Sequence, residues 1–219
     1  MVTLQLSQIR VPPGQRIILE DVSWQVFEAI LNQLGEHRRS RLAYSQGTLE
    51  IMAPLPEHER SKVIIGDLVK ALLDELNLNW ESLGSTTFKR KDISAGIEPD
   101  DCFYIQNYKL MIGKDRIDLT VDPPPDLAIE IDVTSKTQIS AYEALRVPEI
   151  WRYESKNLEI SLLQGKQYVK SLISPTFPTF SIMELIPRFV EMARTTGMSS
   201  GLRVFRQSVR KQIQDSQGE

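Results

Sequence analysis

The sequence predicts an α/β fold, in the broad sense that includes α+β, built around a mostly central sheet. Segments with apolar residues at three- and four-residue steps are intermixed along the chain with short segments of period two. No repeat or low-complexity linker divides them, and 219 residues of which 41% are hydrophobic can bury one substantial core. A single domain over 1–219 is predicted, with its core over about 24–172 and a helical extension over about 181–214.

Taken in order, Ser23 is the N-cap of a helix that carries Trp24, Phe27, Ile30, Leu31 and Leu34 on one face, with Gly35 near its end. Arg41–Ser45 and Thr48–Ala53 alternate and meet at Gln46-Gly47, as in a β-hairpin, and Pro54 and Pro56 close it. From about Glu57 to Leu76, Ile64, Ile65, Leu68, Val69, Leu72, Leu73 and Leu76 form the stripe of a main core helix. Trp80–Leu83 and Thr86–Lys89 read as strands, Asp92–Gly96 as a turn, and Ile97–Ile105 as a further strand containing Pro99 and the pair Asp100-Asp101.

Pro123-Pro124-Pro125 leads into a buried strand over 126–133, followed by a short helix over Thr137–Leu145. Glu149–Tyr153, Leu158–Leu163 and Gln167–Leu172 are successive strands, the last two joined around Gln164-Gly165-Lys166. From Ser181 the chain reads as one or two helices with Gly197–Gly201 between them. Trp24, Trp80 and Trp151 are read as packing residues, because they do not interleave with basic residues as a base-stacking platform would. Arg203, Arg206, Arg210 and Lys211 lie on one helical stretch, where they suit phosphate or a solvated face equally.

Composition narrows the function classes. A net charge of −3 gives no overall attraction to nucleic acid, so DNA binding would require a local basic patch. No apolar run reaches membrane-spanning length and the N-terminus lacks a signal pattern, so no membrane partner and a cytoplasmic location are expected. The single cysteine, Cys102, has no partner for a disulfide or a zinc site and is expected to be buried packing.

The run Pro125-Asp126-Leu127-Ala128-Ile129-Glu130-Ile131-Asp132-Val133-Thr134 carries the chemistry. In a strand, Glu130 and Asp132 point to one face while Ile129, Ile131 and Val133 point to the other. Adjacent carboxylates in a buried strand are best tolerated beside a bound cation or entering solvent. Asp100, about thirty residues earlier, offers a further carboxylate. A hard cation such as Mg²⁺ takes carboxylate oxygens and keeps several waters, so one Asp and one Glu from neighbouring strands suffice. Such an ion makes water nucleophilic and offsets charge developing on a phosphodiester.

Pro99-Asp100 followed by Glu130-Ile131-Asp132 resembles the PD-(D/E)XK nuclease superfamily. The words Ile97-Glu98-Pro99-Asp100-Asp101-Cys102-Phe103-Tyr104-Ile105, Pro125 to Ser135, and Val147-Pro148-Glu149-Ile150-Trp151-Arg152-Tyr153 resemble, more narrowly, the Uma-type family of bacterial restriction endonucleases, over roughly Trp24 to Ser171. The resemblance implies a restriction-endonuclease-like core and cleavage of DNA dependent on Mg²⁺ or Mn²⁺. It implies Asp100 and Glu130 as metal ligands, with Glu57 or His58 added from the N-terminus of the first core helix. That helix end also favours an anion.

One position departs from the superfamily pattern, since Asp132 stands where a lysine is expected two residues after the glutamate. Either Asp132 is a further metal ligand, or it caps the turn at Thr134-Ser135 or pairs with an arginine and the positive charge comes from elsewhere. Lys136 is the first choice by sequence proximity, with Lys62 and Lys89 as alternatives. Gln138 and Tyr142 resemble a Gln-x-x-x-Tyr signature of some nucleases in the superfamily. The leading expectation is a metal-dependent endonuclease, and a homodimer would suit cleavage of two strands. The missing lysine motivates an alternative, a nuclease-like scaffold that binds protein or nucleic acid without cutting. A hydrolase for small phosphoesters is a third reading.

Overall fold

The computed structural model of the chain describes residues 8–35, 40–131 and 135–217. The elements run in chain order as β1 (Arg16–Leu19), α1 (Trp24–Leu34), β2 (Arg41–Ser45), β3 (Thr48–Met52), α2 (Pro56–Glu75), β4 (Glu81–Ser82), β5 (Phe88–Arg90), β6 (Ala95–Ile97), β7 (Asp101–Tyr104) and α3 (Tyr108–Met111). They continue as β8 (Leu127–Ile131), α4 (Lys136–Leu145), β9 (Glu149–Glu154), β10 (Asn157–Gln164), β11 (Gln167–Ser171), α5 (Ile182–Thr196) and α6 (Met198–Gln217). The strands form two sheets, ordered β1-β3-β2-β6-β5 and β11-β10-β9-β8-β7-β4.

The larger sheet is mixed. β8 and β9 are parallel, which requires a crossover, and α4 supplies it; the other pairs are antiparallel. Its two faces are sorted by the alternation of β8. Leu127, Ile129 and Ile131 join a core with Ile65, Leu68 and Leu72 of α2 and with Phe189 and Phe205 of α5 and α6. Ala128 faces the opposite way, toward Ala141, Tyr142 and Leu145 of α4. That second core also contains Ala43, Ala95 and Ile97 of the smaller sheet, so α4 lies between the two sheets.

The far face of the smaller sheet, bearing Leu42, Tyr44, Leu49 and Ile51, is covered by Trp24, Phe27 and Leu31 of α1. Phe27 stacks on Tyr44 with centroids 4.7 Å apart, and Ser23 caps α1 by accepting from the Val26 N–H.

The expected single strand over Ile97–Ile105 is two strands in different sheets. β6 pairs with β2 and β5, β7 pairs with β4 and β8, and the chain passes from one sheet to the other at Glu98-Pro99-Asp100. Pro99 has no N–H for a ladder, so continuous pairing through it is disfavoured and the crossing falls there. Ala95 and Gly96, expected in a turn, begin β6, with Gly96 close against the Phe27 ring. β1 and the short α3 were not expected. At the C-terminus the break is at Gly197, with φ 92°, and Gly201 is helical.

Arg206 and Arg210 are committed to α2. They pair with Asp74 and Glu75 at its C-terminal end, and the two guanidiniums hold Glu75 below the usual carboxylate range. Among the described residues no helix is long and apolar enough to cross a membrane.

α4 begins with a capping box. Ser135 Oγ accepts from the Gln138 N–H at 3.1 Å, and Gln138 Oε1 accepts from the Ser135 N–H at 2.7 Å. Ser135→Ala is expected to cost about 1 kcal/mol, or roughly 2–4 °C in Tm for a chain of this size. An unchanged melting temperature would show that α4 is held by its packing alone.

Candidate active site

The crossing between the sheets places the site. The Glu98 carboxylate accepts from the Leu42 N–H at 3.0 Å, while the Glu98 N–H donates to Leu42 O at 3.2 Å. These two bonds fix the crossing against β2 and bring Arg41, the neighbour of Leu42, next to Asp100. Asp100 is then bonded to β8 twice: its N–H donates to Ile129 O at 3.1 Å, and its Oδ2 accepts from the Ile131 N–H at 2.8 Å. The Asp100 carboxylate thus lies beside Glu130, which faces α4.

The two acids are close enough to act on one another electrostatically and are nearly sealed from solvent, at 1% and 3% exposure. Tyr142 on α4 donates its hydroxyl proton to Glu130 Oε1. Burial, then the charge of Asp100, pushes the Glu130 carboxyl well above its ordinary range; Tyr142 and, more weakly, Arg41 oppose the shift. Burial and the Glu130 charge push the Tyr142 phenol up as well. Two neighbouring carboxyls in such a place are best tolerated with a proton or a cation shared between them. That chemistry fits a divalent cation held by Asp100 and Glu130. Among the described residues, no group of three or more His, Cys, Asp or Glu side chains forms a metal cluster.

The other sequence candidates fall as follows. His58, on the first turn of α2, places Nε2 2.8 Å from Asp100 Oδ1. Glu57 is one residue away and therefore about 100° around the helix; it is exposed and pairs with Arg194 at 2.6 Å. Lys136 opens α4 with its side chain exposed. Asp132 lies outside the described residues. Gln138 is engaged in the capping box, and its companion Tyr142 reaches Glu130. Lys62 pairs with Glu59 and Lys89 with Glu28. Cys102 is buried as expected, with its thiol against Gly84 O, and burial pushes its pKa up.

Two site residues escaped the sequence reading. Arg41 puts Nε 3.8 Å from Asp100 Oδ1 and donates from Nη2 to Glu59 at 3.4 Å. It is the cation beside the carboxylates. Its alternation with Leu42 already placed it on the face away from α1, although nothing local indicated Asp100 as its neighbour. Glu50, on the same face of β3, is 3% exposed and lies 3.7 Å from Arg16. A carboxylate among apolar neighbours in a hairpin is the signal that was available for it.

A cleft of about 490 Å³ opens against His58 and Gln138, with Glu50 and Arg16 on its wall. A second, of about 300 Å³, adjoins it and shares Leu55, His58, Ile131 and Ser155.

The family described as "Uma2: Putative restriction endonuclease" matches residues 24–195. Among solved structures, the chain is similar to "a putative nuclease belonging to DUF820 from Anabaena variabilis ATCC 29413", with 15% identity and a TM-score of 0.43, over 74% of this chain and 90% of that one. No curated protein matches.

Proposed function

The chain belongs to the Uma2 family, whose description is "Putative restriction endonuclease", and from that premise we propose that it hydrolyses DNA phosphodiester bonds with a divalent cation, Mg²⁺ or Mn²⁺, held by Asp100 and Glu130. The observation that supports this most is the placing of these two buried carboxyls side by side, Asp100 bonded to the Ile131 N–H and Glu130 to Tyr142, with burial and the Asp100 charge pushing the Glu130 carboxyl up. When bound, the cation would supply Lewis-acid polarisation of the phosphoryl group and lower the pKa of attacking water.

The protein groups have separable tasks. Tyr142 and the Ile131 N–H orient the two carboxylates by one hydrogen bond each. Arg41 stands in for the absent motif lysine: its guanidinium, fixed between Asp100 and Glu59, offsets negative charge that builds on the phosphoryl oxygens. His58 lies at the cleft wall and touches Asp100, which suits it to position the substrate phosphate or hold a proton there.

The experiment is nicking of supercoiled plasmid by pure protein with Mg²⁺, Mn²⁺ or EDTA. Cleavage that needs the cation supports the reading, and no cleavage under any condition favours the non-cutting scaffold. Arg41→Ala and Lys136→Ala compare the two candidate cations. Arg41→Ala is expected to lose about 10²-fold in rate, with the smaller loss at Lys136. The reverse order would assign the charge-offsetting role to Lys136.

A further inference from the structure

Two residues on the walls of the adjoining clefts each carry a buried polar atom without a hydrogen-bond partner. Glu50 in the larger cleft is 3% exposed, and its Oε2 has no hydrogen-bond partner. Tyr153 in the smaller one is 4% exposed, and its hydroxyl likewise has none. Buried polar atoms in native proteins are almost always paired, and one left alone lowers stability. Two of them, one in each of two lobes that meet at His58, mark positions where a bound molecule completes the hydrogen bonding.

The shape limits what that molecule is. Asp100 and Glu130 are nearly sealed, and His58, 2.8 Å from Asp100, stands on the wall common to both lobes. A phosphate held in the ladder of an intact duplex is flanked by paired bases and a second backbone. It does not reach into a two-lobed recess whose shared wall carries His58 at 3% exposure, whereas a separated strand does. Cavities of about 490 and 300 Å³ are of the size that takes a nucleotide-sized group. Cations line both lobes, Arg16 in one and the exposed Lys156 in the other, as a backbone-tracking groove requires.

We propose that this groove takes an unpaired nucleic-acid strand in preference to intact duplex, with one nucleotide in each lobe and the phosphate between them beside His58. The inference rests on the nuclease reading and names its substrate form. A carboxylate oxygen accepts hydrogen bonds, so Glu50 meets a base that presents an exocyclic amino group, as cytosine and adenine do. The Tyr153 hydroxyl donates to a phosphate or sugar oxygen.

The test is fluorescence anisotropy in EDTA with a labelled short single-stranded DNA of mixed sequence and with its duplex. The single strand is expected to bind at least about tenfold tighter. Equal or tighter duplex binding, or no binding of either, overturns the proposal. Glu50→Gln and Tyr153→Phe are each expected to weaken strand binding several-fold, with Tm unchanged or raised, because each alters an atom that has no hydrogen-bond partner in the free protein, Glu50 Oε2 or the Tyr153 hydroxyl. A fall in Tm with unchanged affinity in both variants would show that the two groups are structural, and would also overturn it. Plasmid and single-strand cleavage in Mg²⁺ separates this failure from that of the hydrolytic reading. A protein that prefers single strands but cuts nothing contradicts hydrolysis alone; one that cuts duplex as readily as single strands contradicts the groove alone.

Discussion

Asp100→Asn and Glu130→Gln are each expected to slow cation-dependent nicking on the order of 10³-fold, a loss of about 4 kcal/mol in transition-state stabilisation. Either substitution removes one of the two anionic ligands and leaves a single carboxylate facing the ion. The amide of Asn retains an oxygen to accept the Ile131 N–H that Asp100 accepts at 2.8 Å, so the junction between the sheets should hold. Unchanged far-UV circular dichroism beside lost nicking is the predicted pair of results. Full activity in both variants would remove the proposed site.

The second large effect is on stability. In EDTA at pH 8, Glu130→Gln is expected to stabilise the protein by about 2 kcal/mol, or roughly 4–8 °C in Tm. The amide still accepts the Tyr142 proton and can donate to Asp100, while the cost of a buried charge disappears. Glu130 has a folded-state pKa above its unfolded value, because of burial first and the Asp100 charge second. The native state therefore binds more protons than the unfolded state between those two values, and stability falls as pH rises through that window. The wild-type group's contribution is fully present below the ordinary glutamate range and lost above the raised pKa. The advantage of the variant should accordingly be largest at pH 8 and vanish toward pH 4. An advantage independent of pH would mean that Glu130 titrates alike in the folded and unfolded states.

The parts of this architecture that are set by local periodicity were legible. The α2 stripe, the Ser23 cap of α1 and the hairpin at Gln46-Gly47 each follow from the sequence within a few residues, and each is present in the structure. The sheet crossing at Glu98-Pro99-Asp100 was not legible as such, because alternation continues on both sides of it. Only the choice of partners, β2 for Ile97 and β8 for Asp101, separates the two strands, and that choice is tertiary. Asp100 and Glu130 were found through the flanking words, and the crossing explains why they meet. Arg41 illustrates the limit: its role depends on a bond between Glu98 and Leu42, fifty-six positions apart, which no local pattern encodes. Of the pair offered by the N-terminus of α2, helical rotation selects His58 for Asp100 and turns Glu57 toward Arg194.

All of the chemistry proposed for this protein depends on Asp100 and Glu130 sharing one divalent cation. A crystal of the full chain soaked in Mn²⁺ and measured for anomalous scattering tests this directly. The account predicts a single strong peak bridging the two carboxylates beside Arg41 and His58, absent in the Glu130→Gln variant. A peak bound elsewhere, or none between these two side chains at saturating Mn²⁺, would contradict it.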